Sequence, residues 1–190
     1  MISSGTFHVI TTELVVGSFA MAGFCFLLKS LEIFDLLKSE RMSQVVDYTG
    51  HFALGFGLAA TPFAIFSGIS SAPGSDFSSP LLVNKMFLSM TAVGLSFAVL
   101  LTRYRMGERV WNSKSNSLIQ TSAGLAASGL MLITASAGGK FSRGESVLDI
   151  FNLPYDTIFL MPLWLSTFIL IIGIVSTVLG IKGLKKTSSI

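Results

Sequence analysis

GHFALGFGLAATPFAIFSGIS, residues 50–70, runs twenty-one positions without one Asp, Glu, Lys or Arg. At about 1.5 Å of rise per residue, a helix over this stretch covers roughly 30 Å, the thickness of a bilayer's hydrocarbon core. The stretch does not alternate apolar with polar, so it is no barrel strand. Four further stretches carry the same signature: about Val9 to Leu28, about Leu81 to Thr102, about Leu118 to Gly138 and about Thr157 to Ile181. The reading is an all-α polytopic membrane helix bundle with five transmembrane helices. Residues 1–153 form a four-helix membrane domain, and residues 154–190 add a fifth helix and a basic tail.

Composition agrees. Of 190 residues, 51% are hydrophobic and 12% charged, with a mean hydropathy of +0.72. A soluble domain carries about a quarter charged residues, so a soluble enzyme, a disordered tail and a nucleic-acid-binding domain are excluded. The net charge of +3 comes from basic residues at span ends. The single cysteine, Cys25, allows no disulfide framework and reads as a small buried hydrophobe. Ala20-Met21-Ala22 resembles a signal cleavage site, but no Lys or Arg precedes the apolar run and Glu13 interrupts it, so the first stretch reads as a retained helix.

Basic residues set the orientation. Lys29, Lys38, Arg41, Arg103, Arg105, Arg109, Lys114, Lys182, Lys185 and Lys186 fall on one side of a five-span chain, against Lys85, Lys140 and Arg143 on the other. The positive-inside rule puts the N-terminus outside, the C-terminus in the cytoplasm and the protein in a cell membrane, with a prokaryotic plasma membrane favoured. Tyr48, Tyr104, Trp111 and Tyr155 sit at span ends, where amphipathic rings reach headgroup level. Residues 30–48 read as a short surface helix or an extension of the first span, and SAPGSDFSSP (71–80) as a turn.

Lipid tails give helices no hydrophobic reason to associate, so small residues matter. Gly124 and Ser128 in the fourth span, and Gly55 and Ala59 in the second with Gly57 and Thr61 beside them, mark these two helices as interior or tightly paired. Pro62 should kink the second span. Gly138-Gly139 before Lys140 reads as the cap of the fourth helix.

Ionisable groups within spans are costly and therefore the candidate functional residues. His8 and His51 lie near opposite faces, on the order of 25 Å apart in depth, and cannot share one haem or metal. Haem b held by one of them with another axial ligand is the alternative cofactor reading; otherwise no cofactor is expected, and no metal site or catalytic residue is visible. Glu13 and Lys85 share the outer half and can form a structural ion pair if the first and third spans touch. Asp47 and His51, four apart, can face each other on one helix.

The stretch FHVITTELV at the first span and GLMLITASAGGKFSRGESVLDI at the end of the fourth give the chain a resemblance to the small membrane proteins called domain of unknown function 2231. That family has four helices, and its first opens His-Pro-x-x-x-His-Phe-Pro. His8 falls on its first histidine, Glu13 on its second, and Asn84 or Lys85 near a third, over roughly residues 7–153. Both prolines are replaced here. The resemblance implies that a histidine cluster has become an ion pair between Glu13 and Lys85.

Three functions follow as expectations. The first is a non-catalytic accessory or structural subunit of a larger membrane complex, of respiratory or monooxygenase type, with lipid and other membrane subunits as partners. The second is a b-type haem protein of electron transfer, using His8 or His51. The third is a small transporter, which would show paired broken helices where this sequence offers only Pro62.

Overall fold

The computed structural model describes residues 3–36, 39–71, 79–152 and 154–159. These contain four long helices: α1 Ser4–Ile33, α2 Glu40–Ser71, α3 Pro80–Met106 and α4 Lys114–Arg143. All four are long and apolar enough to cross a membrane, and no strand occurs among the described residues. The fifth apolar stretch lies outside the described residues beyond Phe159; its first positions, 157–159, are not helical.

Each helix outruns its apolar core because polar ends can continue a helix where backbone partners remain. Ser3 caps α1 by accepting from the Thr6 N–H at 3.2 Å. The 30–48 connection resolves largely into extensions of α1 and α2, with Asp35 at positive φ (60°) turning the chain between them. α2 continues through Pro62. α4 does not stop at Gly138-Gly139. It runs to Arg143 and ends on Gly144 at φ 81°, the left-handed conformation that glycine adopts without Cβ strain.

α1 packs along α2 and α4, and α3 packs along α4 with a sparser edge to α2. The helices therefore form a square with α1 opposite α3 and α2 opposite α4. The second and fourth spans, expected as interior or tightly paired, both use small residues to receive α1. A Cβ on Gly57 would lie 2.8 Å from the Phe19 ring, and one on Gly124 only 2.5 Å from the Phe26 ring. Both rings are fully buried. Ser128 faces Gly23 of α1 in the same way. On α2 the contact face carries Gly50, Gly57 and Thr61; Ala59 is exposed, and Gly55 makes only ordinary contact with Leu100.

The bundle is apolar outside and mixed inside, where polar side chains are buried beside an apolar core of Phe19, Phe26, Leu54, Val99 and Met131. Thr11, Asp47, Asn84, Ser96, Ser117, Gln120, Thr121 and Ser128 are buried, while Phe52, Phe66, Met90, Phe97 and Ile119 are more than 60% exposed. That distribution suits a lipid solvent, where interhelical contact comes from close backbones and hydrogen bonds.

After Gly144 the chain folds back over one end of the bundle. A 3₁₀ helix, Val147–Phe151, opens with a reciprocal cap between Ser146 and Asp149. Tyr155 follows and buries its ring against Leu81 and Ala137. This tyrosine, expected at a span end, is a packing anchor on α3 and α4.

Candidate functional site

At the end of the bundle where α1 finishes and α2 begins, side chains from all four helices form one buried network. Asp47 and His51 are one helical turn apart on α2, and His51 Nδ1 lies 3.0 Å from Asp47 Oδ1 and 2.8 Å from the Asp47 carbonyl oxygen. From α3, Arg103 Nη2 donates to Asp47 Oδ2 at 2.7 Å and its Nε donates to the same oxygen at 3.1 Å. This charge-assisted fork neutralises a carboxylate that is 5% exposed.

From α4, the Gln120 amide uses both of its hydrogens. One goes to the Val99 carbonyl at 2.9 Å, an acceptor that fixes which way the amide points, and the other goes to His51 Nε2 at 3.0 Å. Nε2 therefore accepts, and the proton of the neutral ring sits on Nδ1, facing Asp47. Phe26 meets the imidazole edge-on at 5.2 Å, and Trp111 at 6.2 Å. Beyond Trp111, Lys29 stacks its ammonium 4.5 Å over the indole and binds Glu32 and Ser43, each at 2.7 Å.

This geometry decides what His51 can do. Both ring nitrogens are engaged, so axial ligation through Nε2 would require Gln120 to leave and would strand the Gln120 amide in the interior. The residues around His51 do not fit haem. The arrangement orders a histidine and a carboxylate, as a catalytic dyad does, with the Gln120 amide on the imidazole lone pair.

His8 lies at the other end. Its Nδ1 is 3.1 Å from Ser67 Oγ, which also meets Thr11 Oγ1 at 3.0 Å. Ser67 stands sixteen residues from His51 along α2, about 24 Å of helix rise, so the two histidines are separated as the sequence requires. Glu13 and Lys85 are not brought together. Glu13 is exposed on α1, nearly opposite that helix's buried row of Thr11 and Val15, and α3 is across the diagonal. The Lys85 ammonium lies against Gly138, where a Cβ would be 3.1 Å from Nζ, and forms no ion pair among the described residues. No group of three or more His, Cys, Asp or Glu able to hold a metal occurs among the described residues.

Sequence reasoning missed Lys29, Arg103, Gln120 and Trp111 as members of the network. Lys29 and Glu32, three apart, were a readable signal; Arg103 and Gln120 reach Asp47 and His51 from 56 and 69 residues away and gave none.

No family model, no curated protein and no solved structure matches this chain.

Proposed function

We propose that the chain is a non-catalytic accessory or structural subunit of a larger membrane complex, of respiratory or monooxygenase type, in the cell membrane with its N-terminus outside and its C-terminus in the cytoplasm. One observation carries the reading. The buried and half-buried ionisable groups at the Asp47 end, Lys29, Asp47, His51 and Arg103, are spent on neighbours, with both nitrogens of His51 and both amide hydrogens of Gln120 engaged, while large apolar side chains cover the outside. Such a body has a rigid interior and an exterior suited to lipid and to neighbouring helices. The concentration of Lys and Arg at the Asp47 end supports the orientation through the positive-inside rule.

The test is extraction of native membranes in a mild detergent, followed by sizing and absorbance. The protein should migrate with larger subunits and show no Soret band of its own. A clean monomer in every mild detergent would overturn the accessory role. A Soret band lost on His51→Ala or His8→Ala would replace it with the haem reading.

A further inference from the structure

A cavity of about 110 Å³ opens between the end of α3 and the beginning of α4. We infer that it binds a phenolic ring carried by a membrane-soluble molecule, the chemistry of a hydroquinone head; this assignment does not depend on the accessory role. Val99, Met106, Val110 and Ile119 give the cavity apolar walls, and Thr102, Asn116 and Gln120 add three polar groups. An apolar cavity of about 150 Å³ accommodates benzene, so this smaller one, open on one side, has room for a single ring. Ala98 and Ile119 line it and are themselves exposed, so it opens on the apolar outer face of the bundle.

The polar groups set what the ring must carry. Gln120 is 3% exposed. Its amide hydrogens go to the Val99 carbonyl and to His51 Nε2, whereas its Oε1 accepts no hydrogen bond among the described residues. Yet Oε1 is not sealed in: the sealed, unpartnered side-chain atoms among the described residues are Trp111 Nε1 and Ser128 Oγ. Gln120 lines the cavity, and the cavity is where its oxygen is reached. Thr102 repeats the pattern. Thr61, Thr91, Thr121 and Thr134 return their hydroxyls to carbonyls of their own helices. The Thr102 hydroxyl and the Asn116 amide have no hydrogen-bond partner among the described residues. A carbonyl oxygen takes only a donor. A phenol brings an O–H for Gln120 and, on the same atom, an acceptor for Thr102 or Asn116. A quinone or an ether brings acceptors alone and leaves Oε1 unpaired. These polar groups lie within about two turns of the ends of α3 and α4, the depth at which a ring with one polar edge sits in a bilayer.

Photolabelling of the full chain in native membranes tests the inference. A diazirine-bearing 4-alkylphenol should attach within residues 98–123, and 4-decylphenol should compete with it saturably. 4-Decylanisole, the methyl ether of the same molecule, should compete about tenfold less well, the worth of one hydrogen bond. Gln120→Leu, which removes the acceptor, should bring the phenol down to the level of the ether. Ala98→Phe narrows the cavity from an exposed position and should cut the labelling about tenfold, and it keeps the test decisive where Gln120→Leu does not fold. Equal competition by phenol and ether in the unaltered chain would reduce the cavity to a groove for lipid chains. Label scattered over the outer faces without saturable competition would leave it to water or lipid. Labelling unchanged by Ala98→Phe, or a phenol preference that survives Gln120→Leu, would place the site elsewhere. Each of these results would overturn the assignment.

Discussion

At the Asp47 end the four helices are tied by charged side chains that reach across the bundle, whereas at the His8 end they meet through hydroxyls and a backbone segment folded over them. Asp47 collects Arg103 from α3 and, through His51, Gln120 from α4. The His8 end has Ser67 and Thr11 bridging α1 to α2, Lys85 with no ion-pair partner among the described residues, and Tyr155 with the 144–159 segment closing α3 and α4. The first end is fixed by pairing that fails if one member is removed. The second is fixed by burial and local hydrogen bonds, which fail piecemeal.

The largest effect should therefore come from Arg103→Met. It leaves the Asp47 carboxylate buried with only a neutral imidazole beside it, and stranding one member of a buried pair costs about 3 kcal/mol or more. Denaturant-induced unfolding in detergent should show that loss, and Asp47→Asn added to Arg103→Met should recover a good part of it. Arg103→Lys should fall between, because an ammonium cannot reproduce the two-pronged contact. Equal losses for the single and double variants would mean that the pair does not hold this end.

A smaller change addresses the middle of the bundle, which both ends share. Gly124→Ala places a methyl group inside the Phe26 ring and should cost about 2 kcal/mol by overpacking. Phe26→Leu in the same chain should relieve part of that cost. Gly129→Ala, one position past Ser128 on the same helix, adds a Cβ into open space and should stabilise by a few tenths of a kcal/mol to about 1 kcal/mol. If both glycine variants behave alike, α1 does not seat its rings on α4.

These contrasts mark what the sequence could and could not disclose. Depth was legible: each apolar stretch places its residues along the bilayer normal, so the separation of His8 from His51 and the i, i+4 meeting of Asp47 with His51 follow from counting. Azimuth was not. In a soluble helix the apolar stripe shows which face is inside, but here the outside is apolar too and the inside mixes Ser, Thr, Gln and Gly with Phe, Leu and Val. Hence Ala59 was assigned to a contact face it does not occupy, Glu13 was aimed at Lys85 across a diagonal, and the small residues of the second and fourth spans did not disclose that Phe19 and Phe26 of α1 would meet them. Helix ends were missed for a different reason. Hydropathy ends where the lipid does, whereas hydrogen bonding carried α2 back to Glu40 and α4 on to Arg143.

The closing segment at the His8 end responds to pH. The Ser146 backbone N–H donates to the Asp149 carboxylate at 2.9 Å, and Tyr155 Oη (3.0 Å) and Lys140 Nζ (3.2 Å) add to it. Together they hold Asp149 below the ordinary value of 3.8. A carboxylate lowered in the folded state stabilises fully above that ordinary value and loses its contribution as pH falls through the lower, folded one. Amide exchange or protease cleavage within 144–152 should therefore rise below about pH 4 while α1 and α2 stay protected, and Asp149→Asn should remove the dependence. Loss of protection in all helices together over the same window would mean that this segment and the bundle open as one unit.

The smallest expected effect separates satisfied from unsatisfied polar groups in the interior. Ser96 and Thr121 return their hydroxyls to carbonyls of the preceding turn, at 2.7 and 2.5 Å. Ser128 is equally buried, yet its Oγ has no hydrogen-bond partner among the described residues. Its use to the fold is size: it fits against Gly23 where α1 and α4 come closest. Ser128→Ala keeps that size and removes an unpaired hydroxyl, so stability should stay within about 0.5 kcal/mol or rise slightly. Ser128→Val should destabilise, because the added methyl groups meet the α1 backbone. Should Ser128→Ala instead lose 1 kcal/mol or more, the hydroxyl has a partner in the membrane, and small-residue packing alone does not explain the α1–α4 contact.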